Sequence, residues 1–135
     1  MSEVAAADKK LVQKPFANEI VVKRCVYDVA VDGGAETDTF TVAEMDDDMV
    51  LLDAYTNITT AFTSGGSATA IIGVTGDTDA ILASTAVASM TAGIKPGAAA
   101  CEGILLAAGD KVLVTVGTAA MTAGKLEVVL LLVAR

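Results

Sequence analysis

The stretch from Lys111 to Ala134, KVLVTVGTAAMTAGKLEVVLLLVA, decides how this chain is read. Val112, Val114 and Val116 alternate with Leu113, Thr115 and Gly117, and β-branched residues dominate. Small residues fill Gly117 to Gly124. Then Leu126, Val128, Leu130 and Leu132 alternate with Glu127, Val129, Leu131 and Val133. Successive side chains of a strand point to opposite faces, so the expectation is a hairpin with one strongly apolar face. After Glu127 the second strand is apolar at every position, the pattern of a strand covered on both sides.

Outward from this stretch the chain keeps the same character. Glu19–Val31 (EIVVKRCVYDVAV) reads as the first strand, with Cys25, Tyr27, Val29 and Val31 on one face and Val26, Asp28 and Ala30 on the other. Asp32-Gly33-Gly34 signals a turn, and Thr37–Ala43 a short strand with Phe40 and Val42 toward the core. After the acidic loop Glu44–Asp48, Met49–Phe62 reads as a long strand with Val50, Leu52, Ala54, Thr56, Ile58, Thr60 and Phe62 on one face. Ser64-Gly65-Gly66-Ser67 turns it back into Ala68–Val74 as a second hairpin. Gly76–Asp79 is expected to be a loop, Asp79–Ala83 one helical turn followed by a strand, and Lys95–Glu102 a loop around Pro96-Gly97. Ile104–Ala107 is a short strand, and Gly109-Asp110 turns into Lys111. Met-Thr-Ala-Gly occurs at 90–93 and again at 121–124, which suggests one turn geometry used twice. About seven or eight short strands with irregular turns imply an all-β, two-layer antiparallel β-sandwich. Jelly-roll topology is preferred and a small barrel is the alternative. Residues 1–18 lack periodicity, and Pro15 blocks a continuing helix or central strand. They read either as a frayed terminus or as an extended N-terminal arm that orders on a neighbouring subunit, ahead of a sandwich domain at 19–135.

Composition narrows the chemistry. The 135 residues make one domain, 53% hydrophobic, with no Trp and no His. Lacking His, the chain lacks the side chain most used for proton transfer near neutral pH and the commonest metal ligand. The net charge is −8. Residues 25–94 carry eleven acids and no Lys or Arg, while residues 1–24 are mildly basic. An acidic body repels phosphates, so no nucleic acid partner is expected. The surface acids either keep the protein soluble or set the body apart from a basic arm that docks on an acidic partner. No membrane span is expected, because the uncharged run Ala54–Gly76 is rich in Thr, Ser, Asn and Gly. The opening MSEVAAADKK has no apolar core segment, so no secretory signal is expected either. Cys25 and Cys101 are expected to be two free thiols rather than a disulfide.

The acids form three constellations that bear on chemistry. Glu44, Asp46, Asp47 and Asp48 could offer oxygen ligands to a divalent cation, but they lack the spacing and glycine of a calcium loop, and a solvated loop is the plainer reading. Asp77 and Asp79 could point the same way, as a weak cation site or as turn caps, and capping is preferred. A glycosidase-like carboxylate pair can be drawn from these acids, without an aromatic platform beside it. Nothing implies a catalytic residue, a metal site or a cofactor, so no enzyme activity is expected.

The run Thr59–Thr69 (TTAFTSGGSAT), with Gly73 and Gly76-Asp77-Thr78-Asp79-Ala80, resembles small head decoration, or cement, proteins of tailed bacteriophages. Ala108-Gly109-Asp110-Lys111 and Thr122-Ala123-Gly124-Lys125, ahead of the Val-rich last strand, resemble them too. The resemblance spans about residues 19–134, and Lys95–Glu102 departs from it. It implies a β-sandwich, often a homotrimer, on the capsid outer surface of a virion, made in the host cytoplasm and tying major capsid protein subunits together. It carries over no catalytic residues. On this reading Lys9, Lys10, Lys14, Pro15 and Phe16 of the arm, with Lys95 and Pro96 of the loop, are expected to contact neighbours. Two alternatives stand beside it. One is a carbohydrate- or receptor-binding sandwich of a phage tail or head fibre, and the other is a hydrolase using Asp77 and Asp79.

Overall fold

Alternating apolar side chains become nine strands in a computed structural model that describes residues 20–134. The strands are β1 (Ile20–Asp28), β2 (Thr39–Glu44), β3 (Met49–Ser64), β4 (Thr69–Val74), β5 (Asp77–Ala86), β6 (Gly93–Pro96), β7 (Ile104–Leu106), β8 (Lys111–Gly117) and β9 (Met121–Ala134). One antiparallel sheet has the order β1-β9-β3, with β6 and β7 side by side with different stretches of the far edge of β3. The other has the order β2-β8-β4-β5. Walking along the chain, β1, β3, β6, β7 and β9 fall in the first sheet and β2, β4, β5 and β8 in the second, which is the winding of a jelly roll. The all-β sandwich expected from the sequence is therefore the fold. The expected arm, including Lys9 to Phe16, lies outside the described residues.

Two expected hairpins are not hairpins. β8 pairs with β2 and β4, whereas β9 pairs with β1 and β3, so Lys111–Ala134 crosses from one sheet to the other. The crossing is a tight arch at Gly117–Ala120, where Thr118 takes a positive φ of 71° and the Ala119 amide donates to the Gly117 carbonyl. Met49–Ser64 and Thr69–Val74 are likewise split between sheets. The apolar faces do meet, but across the sandwich. Leu126, Val128, Leu130 and Leu132 of β9 share one buried cluster with Val112, Val114 and Val116 of β8. Each such side chain contributes about 1.5–3 kcal/mol relative to exposure.

Local departures have local causes. β1 ends at Asp28 because Val29–Asp32 coils into a single helical turn (α1). The Asp28 carboxylate accepts the Ala30 amide, and that of Asp32 accepts the Asp28 amide. Val31 therefore ends up exposed rather than on the core face. In β3 the register against β9 slips between Leu51 and Asp53, so Leu52 is an extra residue and the inward face changes parity. Leu51, Ala54, Thr56, Ile58 and Phe62 are buried, while Leu52 and Thr60 are not. The expected loop at Gly76–Asp79 and helical turn at Asp79–Ala83 are replaced by strand β5, which pairs with β4 around a Thr75-Gly76 turn. The short helical turn comes later, at Val87–Ser89. Lys95 and Pro96 close β6 rather than sit in a loop. The two Met-Thr-Ala-Gly segments share a buried Met and a glycine at φ near +140° (143° at Gly93, 137° at Gly124), but the second lies inside β9 and is not a turn.

Among the described residues the core holds one unpaired polar group. Thr56 is 1% exposed, and its hydroxyl has no hydrogen-bond partner. A buried donor left unpaired costs about 1–3 kcal/mol. Thr56→Val keeps the shape and removes the hydroxyl, so it is expected to stabilise the fold by about 1 kcal/mol, read as a higher urea midpoint at unchanged m-value. A lower midpoint would mean that the hydroxyl is paired in solution.

Candidate interaction surface

Part of the acidic loop and of the turn beside it is structural. The Asp48 carboxylate accepts the Ala108 amide, that of Asp47 accepts the Asp48 amide, and that of Asp110 accepts the Ala107 amide. The Met45 amide donates to the Asp110 carbonyl and the Gly109 amide to that of Met45, so the acidic loop and the Ala107–Asp110 turn are tied together. Among the described residues no group of three or more His, Cys, Asp or Glu could hold a metal ion.

Asp77 and Asp79 lie on one face of β5, as their spacing suggested, but in a strand rather than a loop. A hydrogen bond shared with Asp79 raises the Asp77 carboxyl above its usual range, slight desolvation and the Asp79 charge add to the shift, and a backbone hydrogen bond at Asp79 opposes it. Folded Asp77 therefore holds its proton to a higher pH than in the unfolded chain. This disfavours folding above the carboxylate range, and the penalty is relieved as pH falls through it. Asp79→Asn is expected to raise the melting temperature near pH 7, with the gain vanishing by about pH 3. A gain that persisted in acid would rule out this origin.

Neither cysteine is paired. Cys25 is half-buried and Cys101 fully buried, and burial pushes both thiols up, as expected of inert internal groups. Tyr27, Phe40 and Phe62 pack their rings together inside the sandwich, with centroids 5.4 and 6.2 Å from that of Tyr27. The Tyr27 hydroxyl donates to the Gly33 carbonyl. That leaves Tyr55, half-buried, as the remaining described aromatic, a thin platform for sugars.

The feature that stands apart is the outer face of the five-stranded sheet. Register places Ile20, Val133, Val50 and Leu105 in one row across β1, β9, β3 and β7. Val22, Leu131 and Asp53 form the next, with the extra Leu52 beside them. Arg24, Val129, Tyr55 and Pro96 follow, then Val26, Glu127, Asn57 and Ile94. Among the large hydrophobic side chains exposed in the described part, all but Val31 belong to this face; Ile20 is 58% exposed, Val22 53%, Leu105 61% and Ile94 67%. A four-row, four-strand patch measures about 14 by 20 Å, on the order of 300 Å² before side-chain width is added, a size that marks functional surfaces. Its charges are few: Arg24 and Glu127 pair at 2.8 Å, and Asp53 sits apart from them, opposite Leu131. Val129 is nonetheless buried, shielded between Arg24 and Tyr55.

Of the residues expected to contact neighbours, Pro96 falls on this face, opposite Tyr55, and Lys95 next to it lies opposite buried Thr56. Lys9, Lys10, Lys14, Pro15 and Phe16 are outside the described residues. Apolar residues on both parities of β9 imply cover on both sides. Among the described residues no further layer covers the outer side. The same signal in β1, where Ile20, Val22 and Val26 sit opposite in parity to Cys25 and Tyr27, was available and marks an exposed apolar face.

No protein-family profile matches the sequence, and no curated protein matches it. Solved structures do. A chain of the cyanophage Pam1 capsid asymmetric unit superposes with a TM-score of 0.67 at 18% identity, covering 100% of both chains. A chain of the capsid of Ralstonia phage GP4 gives 0.63 at 15% identity, over 94% of this chain and 92% of its own length. A chain of the acidic stable capsid of Helicobacter pylori bacteriophage KHP30 gives 0.58 at 8% identity, over 84% and 86%. The jelly-roll sandwich of this chain is thus shared with chains of phage capsid structures.

Proposed function

We propose that this chain is a virion structural protein that decorates the outer surface of a tailed-phage capsid and bridges its major capsid protein subunits. The observation that carries the reading is end-to-end likeness to a chain of a phage capsid asymmetric unit, with 100% of both chains covered. The outer sheet face supports it, because a bridging protein needs a large surface with apolar side chains and few charges to bury. In this reading the protein is no enzyme. It acts as a homotrimer, and Lys9, Lys10, Lys14, Pro15 and Phe16, with Lys95 and Pro96, extend the contact beyond the sheet. The acids elsewhere on the body keep free copies apart before assembly.

The test mixes purified protein with capsid shells assembled from major capsid protein alone. Saturable co-sedimentation at a fixed stoichiometry is expected, with a higher shell melting temperature. Deleting residues 1–18 is expected to abolish attachment while leaving a folded core by circular dichroism. No co-sedimentation of the full chain would overturn the reading.

A further inference from the structure

We propose that the major capsid protein surface covering the outer face of the five-stranded sheet presents a cationic side chain to Asp53. The inference rests on the capsid reading above and names the chemistry of the partner at that face.

A partner that covers this face has to do so without stranding a charge. Arg24 and Glu127 already pair at 2.8 Å, so each keeps its counter-charge when water leaves. Asp53 is different. It is exposed, in the row of Val22 and Leu131, with the extra Leu52 beside it. Its Oδ1 accepts the Ala54 amide at 2.8 Å and the Cys101 thiol at 3.6 Å. Its Oδ2 has no hydrogen bond or ion pair among the described residues.

The fold uses the oxygen and not the charge. β7 pairs with Met49–Leu51 of β3 and β6 with Tyr55–Ile58, so the ladder on that edge is interrupted between them. The Asp53 carboxylate takes the Ala54 amide in this gap, a task that any acceptor oxygen performs. The negative charge is left for something outside the chain.

No cation of the described residues serves it. Arg24 lies one row on and two strands away, about 12 Å between Cα atoms, and its guanidinium is held by Glu127 in the row beyond. Lys23 and Lys95 sit opposite buried Leu130 and Thr56, on the other parity of their strands. A second copy of this chain is a poor occupant. It would bring its own Asp53 and an arginine already paired, so two such faces meet with negative charge in surplus. A partner whose apolar surface carries a lysine or arginine at this point fits both the row of exposed hydrophobic side chains and the carboxylate among them.

Asp53→Asn isolates the charge, because the amide oxygen can still accept the Ala54 N–H. The full-length variant and wild type are titrated against shells of major capsid protein alone and read by co-sedimentation, with circular dichroism to check the fold. Asp53→Asn is expected to weaken attachment about tenfold or more, since the partner's cation is then buried against a neutral group. Asp53→Lys is expected to abolish attachment. Glu36→Gln removes one charge at an exposed site in the link between α1 and β2 and is expected to change nothing. Attachment of folded Asp53→Asn as tight as wild type, or tighter, would overturn this inference and leave the capsid reading standing. Equal weakening by Glu36→Gln would overturn it too, because net charge alone would then be responsible. Wild type that stays in the supernatant would overturn the capsid reading and this inference together.

Discussion

Gly124→Ala is expected to cost this protein about 2–6 kcal/mol, lowering its melting temperature by roughly 8–24 °C. Two independent terms add. Gly124 has φ +137°, a conformation that L side chains rarely adopt, and holding a non-glycine residue there costs about 1–3 kcal/mol. A Cβ at this position would also stand 2.3 Å from Cδ2 and 2.4 Å from Cγ of Phe62. Those atoms are the root of a buried ring stacked near Tyr27, so the ring cannot swing aside without disturbing the aromatic cluster. Displacing it adds about 1–3 kcal/mol of overpacking. The repeated tetrapeptide supplies the control. Gly93 has almost the same φ, +143°, but a Cβ there meets nothing within 4 Å. Gly93→Ala should therefore show the backbone term alone, about 1–3 kcal/mol. Thermal melts of the two variants separate the terms. Equal losses would mean that the Phe62 contact contributes nothing.

That glycine also shows how far a sequence can be read. Periodicity located most strands and, over most of their length, the side chains that face the core, because a period of two is written residue by residue. It did not say which sheet a strand joins. Lys111–Gly117 and Met121–Ala134 are strands with facing apolar sides, and a hairpin and an arch between sheets leave the same pattern. The deciding feature is the three-residue link Thr118–Ala120, whose backbone cannot be read from Thr-Ala-Ala. The parity of β3 was readable only up to its bulge, because one extra residue at Leu52 exchanges inside for outside. Asp28 to Asp32 hid a helical turn because Val-Ala-Val continues a strand pattern, while the two flanking aspartates bond local amides instead. The interaction surface was half legible. Apolar residues on both parities of β1 and β9 announce an extra covered face, but the pattern cannot tell cover by the same chain from cover by a partner.

That distinction sets the second large effect. Val22→Asp combined with Leu105→Asp is expected to leave the sandwich folded and to weaken attachment to capsid shells by at least 100-fold. Both side chains are more than half exposed, so the isolated chain has little packing to lose, and its stability should move by about 0.5 kcal/mol or less per site. In a buried contact each carboxylate would have to leave water without a partner, at several kcal/mol per charge. The two positions lie on different strands of one patch, so a neighbour that covers the sheet meets both. Val31 provides the comparison. It is the most exposed large hydrophobic side chain among the described residues, at 80%, and sits on the helical turn rather than on the strands of the patch. Val31→Asp should leave attachment unchanged, because an isolated exposed valine needs no cover. Co-sedimentation of the variants with shells, alongside their thermal melts, reads both effects. If Val31→Asp weakens attachment as much as the sheet variant, general acidity is responsible and the face has no special part. If the sheet variant binds normally, the outer face is not the surface that meets the capsid.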